Sequence, residues 1–359
     1  MIVMAKIARK YIRLIFFIIL STVSFYVTPA TSEMMFETYK PDQYQVVQGD
    51  IGWTIFASGE IDVNAADRLE NIIKKENIPQ RSRLYIDSVG GNLFGGIKLG
   101  KGFRSHELIT TVGKLRSSDV YDVAPAVCLS ACVPAFIGGA YRYWNAGSVI
   151  GVHRFFWESD QGDADLAQVV SAALVEHIRM MGVDTELFTL ASSAGKDEFV
   201  SIDEEEARRI KLTNNGSNDP IWTIESIDQG IYLKGEQDTV NGLNKFMIAC
   251  APDNPISLFI IFNAGINIDK AMGMEAISIS IDHKSYPINI NAVSRDRNGS
   301  DIVLGYTLNN MLISNIKRAR NLGVYLQFAF DAPTYMGFDI STEGGSKKMP
   351  GFFRACQGM

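Results

Sequence analysis

The chain reads as α/β in its first part, with a mostly parallel sheet covered by helices, and as β-rich in its second, a sandwich or small antiparallel barrel. Three observations predict this. From Trp53 to Val112, short apolar runs alternate with stretches of helical period, as in parallel strands joined by helical crossovers. Asn214-Asn-Gly-Ser-Asn-Asp-Pro220 is a turn-rich break. Beyond it, short β-type runs follow one another with two helical exceptions.

In order, Thr54–Ile61 is a strand, and Asp62–Lys75 a helix with Ala65, Ala66, Leu69, Ile72 and Ile73 at helical spacing. Arg83–Asp87 is a strand, Leu93–Arg104 a glycine-containing helix and Leu108–Val112 a strand, which completes a βαβαβ series. After a loop, Ser130 opens a helix that runs to Phe136. Ser148–His153 is a short buried strand, and Asp165–Met181 the longest helix, with Asp165 in its first turn and Gly182 as its stop. In the second part, strands are expected at Trp222–Glu225, Gly230–Lys234, Asn244–Cys250, Leu258–Phe262, Ala276–Ile281, Ser285–Ile290, Asp301–Tyr306 and Val324–Phe330. Helices are expected at Leu308–Arg320 and in the tail from Ser346. The expected divisions are a leader at 1–32, the α/β domain at 33–213, a linker at 214–235 and the β-rich domain at 236–359.

A chain of 359 residues, 47% hydrophobic and 21% charged, is long enough to bury more than one core. Its net charge of −6 and the lack of a dense basic run after the N-terminus argue against a nucleic-acid surface. Lys6, Arg9, Lys10 and Arg13 precede an apolar run from Leu14 to Val27, then the small residues of Thr28-Pro-Ala-Thr-Ser32. This describes a secretory signal with cleavage before Glu33 and a periplasmic or secreted product. An uncleaved anchor is the alternative, although the run is shorter than the roughly 20 residues that span a bilayer. Either way the chain leaves the cytosol. Four cysteines agree with an oxidising compartment and fall into two pairs, Cys128 with Cys132 and Cys250 with Cys356. The Cys128–Cys132 spacing is neither the C-x-x-C redox pattern nor accompanied by nearby zinc ligands, so a local disulfide bracing the turn is preferred to free buried thiols or a thiol nucleophile.

Cys128-Leu-Ser-Ala-Cys132 and Gly151-Val-His153 place a hydroxyl and an imidazole 23 positions apart, on opposite sides of Gly138-Gly139. Upstream, the apolar run Leu84-Tyr-Ile-Asp-Ser-Val-Gly-Gly91 ends in paired glycines, a turn able to aim N–H groups at a developing oxyanion. Nucleophile, base and oxyanion donors together are what acyl transfer requires, which reads as a serine hydrolase. Ser130 is the nucleophile, His153 the base, and the Ala131 N–H with one of the Gly90 and Gly91 N–H groups the oxyanion donors. His106 and His177 read as surface residues, and His283 lies in a turn. Tyr141, Tyr143, Trp144, Phe155, Phe156 and Trp157 read mostly as core, and Glu158-Ser-Asp-Gln-Gly-Asp163 as a solvated loop.

Residues 50–213 resemble the Clp protease proteolytic subunit and the wider Clp/crotonase superfamily. Phe56-Ala-Ser-Gly-Glu-Ile61 resembles its opening strand and turn. Tyr85-Ile-Asp-Ser-Val-Gly-Gly91 is similar to the strand ending in Ser-Pro-Gly-Gly, with Val89 in place of proline, and Cys128-Leu-Ser-Ala-Cys132 falls where the family has Ala-Ala-Ser-Met-Gly. Gly151-Val-His-Arg154 is similar to the segment that supplies the catalytic histidine, and Lys196-Asp-Glu-Phe-Val-Ser201 to the one that carries the catalytic aspartate. The resemblance implies a ββα-repeat fold, a Ser130–His153–Asp197 triad, a peptide or protein substrate and a homo-oligomer. Asp184, Asp203 and Glu204 are the alternatives to Asp197. It implies no metal and no organic cofactor. An ATP-driven unfoldase is not expected outside the cytosol, nor is acyl-CoA chemistry of the crotonase type. The β-rich part has no counterpart in the chamber protease. A non-catalytic Clp-like scaffold or binding module of the cell envelope is the reading from another class, since fold does not fix function.

Overall fold

The computed structural model describes residues 33–43, 52–155, 164–195, 198–330 and 332–358. The first sheet is built from β1 (Met35–Tyr39), β2 (Thr54–Ser58), β3 (Arg83–Asp87), β4 (Ile109–Val112) and, after three short strands are passed in sequence, one later strand. The intervening elements are β5 (Lys114–Leu115), β6 (Val123–Ala124) and β7 (Val127–Leu129), and the fifth strand is β8 (Tyr141–Tyr143). Strands β2, β3, β4 and β8 are parallel, with β1 antiparallel at the edge. Crossovers α1 (Ala65–Glu76) and α2 (Leu93–Ser105) explain the parallel order, because a parallel pair needs a long connection. In α1 the buried positions Ala65, Ala66, Leu69 and Ile73 form one face, and Asn77 ends the helix in the left-handed conformation.

Helix α2 is a poor helix former in isolation, since glycine costs about 1 kcal/mol against alanine at each interior position. Packing explains the glycines. α3 (Cys132–Phe136) lies so close that a Cβ on Gly96 would fall 2.2 Å from the Ala131 carbonyl oxygen, and one on Gly100 2.4 Å from that of Pro134. A second, three-stranded sheet contains β7, β9 (Val149–Val152) and a third strand, β10 (Val200–Ile202). β7 and β9 run parallel and β10 antiparallel to β9, while an isolated bridge from Ser88 to Cys128 links the end of β3 to β7. Helices α4 (Ala164–Met180), α5 (Glu186–Ser193) and α6 (Glu204–Arg209) complete this half, and Leu174, Ile178 and Leu187 join its core. Arg142, 2% exposed, donates to the carbonyls of Gly139, Lys211 and Leu212, and so ties the turn before β8 to the segment after α6.

The second half is antiparallel throughout. β11 (Ile221–Ile227), β12 (Gly230–Thr239), β13 (Gly242–Cys250) and β14 (Ser257–Asn263) are followed by α7 (Ile268–Met272), β15 (Ala276–Ile281), β16 (Lys284–Ile288), β17 (Val293–Asn298) and β18 (Asp301–Thr307). Then come α8 (Asn310–Ile316), β19 (Asn321–Gln327), β20 (Met336–Ser341) and α9 (Met349–Gln357). A six-stranded sheet, β11-β12-β13-β14-β18-β17, and a four-stranded sheet, β16-β15-β19-β20, contribute to one core with Phe246, Ile260, Ile279, Val324 and, from α9, Phe352 and Phe353. This is sandwich-type packing with helical additions. Residues 221–235, expected within a linker, are instead the first hairpin of the larger sheet, because Trp222 and Leu233 are buried there. Asp238 on β12 meets the first half: its carboxylate accepts from the Tyr141 hydroxyl at 2.9 Å and Asn218 at 3.2 Å, with Arg81 at 3.4 Å.

Candidate active site

Strands β7 and β9 pair with Cys128 opposite Ile150 and Leu129 opposite Gly151. Each then leaves the sheet within two residues, and those exits carry Ser130 and His153. The Ser130 N–H donates to the Gly151 carbonyl at 3.0 Å, which extends the pairing past the strand end. Ser130 has φ of 53°, so the sequence expectation that it opens the helix is corrected: it forms a left-handed turn and α3 begins at Cys132. Such a turn costs a non-glycine residue on the order of 1 kcal/mol and aims the side chain away from the strand. Gly90, at φ of 106°, makes room for it, since a Cβ there would lie 2.8 Å from the Ser130 Cβ.

The Ser130 Oγ lies 2.7 Å from His153 Nε2, and His153 Nδ1 lies 2.8 Å from the Arg154 carbonyl oxygen. A carbonyl only accepts, so Nδ1 carries the proton and Nε2 is the acceptor for the Ser130 hydroxyl. That is the tautomer a general base needs. The Phe199 ring meets the imidazole edge-on, with centroids 4.8 Å apart.

The three candidate oxyanion amides differ. The Gly90 N–H donates to the Ser88 Oγ at 3.1 Å within its own turn, so it is engaged and drops out as a free donor. Those of Gly91 and Ala131 have no hydrogen-bond partner among the described residues, and both residues line the same cleft as Ser130 and His153. Helix α3 is only five residues long, so its start offers single amides rather than a helix dipole. The cleft is about 800 Å³; Val133, Ile137, Val170, Leu174, Ile178 and Leu187 form its apolar depth, and exposed Val63, Val89 and Phe94 its rim. Asp62, also on the rim, is held by Arg68, whose hydrogen bonds keep its carboxyl below the ordinary carboxylate range.

Cys128 is bonded to Cys132, and Cys250 to Cys356. Asp197 lies outside the described residues, as do Phe156, Trp157 and the 158–163 loop. Its alternatives work elsewhere: Asp184 accepts from the Glu186 N–H, Asp203 caps α6 through the Glu206 N–H, and Glu204 pairs with Arg208. Tyr141 is fully buried, Tyr143 and Trp144 pack against core, and Phe155 lines the cleft. His177, expected at the surface, is 1% exposed. It donates from Nε2 to the Pro134 carbonyl at 2.8 Å, and burial holds its pKa below the ordinary value. His106 is half-buried, bonded to Glu70 at 2.7 Å, and His283 is on an exposed turn. Ser88 and the Arg154 carbonyl were not anticipated; a serine two residues ahead of a glycine is the local turn signal that marks the first. Among the described residues, no group of three His, Cys, Asp or Glu side chains is arranged to hold a metal ion, and no helix is long and apolar enough to cross a membrane.

No protein-family model and no curated protein matches the chain. Among solved structures, it is similar to a mutant of the 1510-N membrane-bound stomatin-specific protease, at 15% identity over 45% of this chain and 75% of that one, with a TM-score of 0.32. It is also similar to a ClpP1 mutant from Listeria monocytogenes, at 12% identity over 45% of this chain and 88% of that one, with a TM-score of 0.35.

Proposed function

We propose that this chain is an exported serine hydrolase, of the peptidase type, working through an acyl-enzyme. The observation that carries the reading is the 2.7 Å contact between Ser130 Oγ and His153 Nε2 at the mouth of an apolar cleft, beside two amides, of Gly91 and Ala131, with no partner among the described residues. In the reaction Ser130 Oγ attacks the scissile carbonyl while Nε2 takes its proton, and the Gly91 and Ala131 N–H groups receive the oxyanion. The imidazolium then protonates the leaving group, and water repeats the cycle to release the acid. Asp197 is assigned the role of steadying the imidazolium, which the Arg154 carbonyl shares through Nδ1. This chemistry draws on no metal or organic cofactor. The substrate is a peptide or protein, the working form a homo-oligomer, and the mature chain begins near Glu33 in the periplasm or outside the cell.

Incubation with a fluorophosphonate probe, followed by intact-mass and peptide analysis, tests the reading. One adduct per chain, mapped to Ser130, is expected. If no adduct forms and broad ester and peptide panels give no turnover, the reading fails and the scaffold alternative replaces it.

A further inference from the structure

We infer that the Cys128–Cys132 disulfide is a positioning element of the active site, fixing the nucleophile and the Ala131 oxyanion donor, rather than a staple of the fold; this rests on the serine hydrolase reading above. The bond joins residues four apart and encloses Leu129, Ser130 and Ala131. Chain-entropy stabilisation grows with the length of the loop closed, so so short a ring contributes far less than the Cys250–Cys356 bond, which spans 106 positions. Its local consequence is larger. Ser130 holds a left-handed conformation unfavourable for a residue with a Cβ, and such conformations persist only where the surroundings over-determine them. The helix that follows has five residues, no side-chain cap at Ala131 and too little length to hold its own start. Both sulfur-bearing residues are fully buried in the core and anchor the two ends of the turn, Cys128 on β7 and Cys132 on α3. Besides the disulfide, the turn is held among the described residues by three backbone hydrogen bonds, Leu129 N–H to the Ser88 carbonyl, Ser130 N–H to the Gly151 carbonyl and Val133 N–H to the Ser130 carbonyl, each at 3.0 Å, and by the Ser130–His153 contact, and none of the backbone bonds engages the Ala131 N–H.

The test compares wild type, Cys128→Ala/Cys132→Ala and Cys250→Ala/Cys356→Ala by fluorophosphonate labelling rate, kcat and KM on a peptide or ester substrate, and melting temperature. Loss of the first bond is expected to lower kcat and the labelling rate at least 10-fold, with KM changed less than about 3-fold, because a misplaced nucleophile and donor affect the transition state most. Loss of the second is expected to lower the melting temperature and leave kcat within about 2-fold. Should the Ala pair melt below the assay temperature, Cys128→Val/Cys132→Ala, closer in volume to the cystine, takes its place. Labelling and kcat equal to wild type in a folded variant lacking the Cys128–Cys132 bond overturn the inference and leave the hydrolase reading standing. A wild type that does not label at Ser130 removes both.

Discussion

At Ser130, backbone and side chain act together: the left-handed turn lifts the hydroxyl out of the sheet, and His153 meets it with an acceptor nitrogen. Replacing Ser130 with alanine is expected to lower kcat at least 1000-fold with a melting temperature within a few degrees of wild type, since it deletes one oxygen. His153→Ala should match it, and the double variant should be no worse, because the two act as a unit. Asp197→Asn is expected to cost less than either, since the Arg154 carbonyl already holds Nδ1–H. Turnover and melting measured side by side decide, and full activity in Ser130→Ala sinks the assignment. The sequence names Ser130, His153, Gly91 and Ala131, which the structure brings to one cleft. It does not show that Gly90 spends its amide on Ser88, because that outcome depends on a hydroxyl two residues away competing for the same N–H.

At the scale of the element, α2 meets α3 backbone to backbone at Gly96 and Gly100. Gly100→Ala should raise intrinsic helix propensity by about 1 kcal/mol, yet the new Cβ meets the Pro134 carbonyl at 2.4 Å. Overpacking of this kind costs about 1–3 kcal/mol, so net destabilisation is expected, read as a lower denaturant midpoint. A midpoint at or above wild type contradicts the backbone-to-backbone contact. His177 on α4 bonds the same carbonyl in its neutral form, and its folded pKa lies below the unfolded value of about 6.5. The unfolded chain therefore binds the proton more readily, and stability is lost as pH falls below about 6.5, at up to about 1.4 kcal/mol per pH unit. Melting followed from pH 7 to pH 5 should fall less steeply in His177→Gln than in wild type; parallel curves refute the assignment. The helical stripe of α4 is plain in the sequence, but not which stripe residue faces α3. Strands β17, with Ser294, Arg295, Asp296 and Arg297, and β20, with Gly337 and Asp339, escape notice for another reason. β17 is an edge strand, where charge is tolerated, and β20 carries a glycine at φ of 143° and a carboxylate bonded to Tyr325.

Across the whole molecule, two cores meet where Arg81, Tyr141 and Asp238 come together. Burial and the neighbouring carboxylate push the Tyr141 hydroxyl well above its ordinary pKa, so it stays a donor at all ordinary pH. Asp238→Ala leaves that buried hydroxyl without its acceptor, at a cost of about 1–2 kcal/mol. A lower melting temperature with unchanged kcat is expected, and an unaltered melt would show that the joint carries no stability. The change from α/β to β-rich character is legible at Asn214–Pro220, and most second-half strands are legible to within a few residues. Sheet membership is not. β14 pairs with β18 and β15 with β19 across long stretches of chain, partnerships fixed by which apolar faces close on one another rather than by any local pattern.

The parallel pairing of β7 and β9 also says what can vary. Ser130 and His153 are neighbours because Leu129 and Gly151 share a rung, not because a certain number of residues separates them. The exposed Ala146–Gly147 turn between the two strands could lengthen without moving either side chain, whereas one residue inserted at Leu129 or Val152 would turn the hydroxyl or the imidazole to the opposite face of the sheet. A sequence pattern written as a fixed interval between serine and histidine would therefore pass over chains with the same chemistry. One anchored on the two strand ends would retain them.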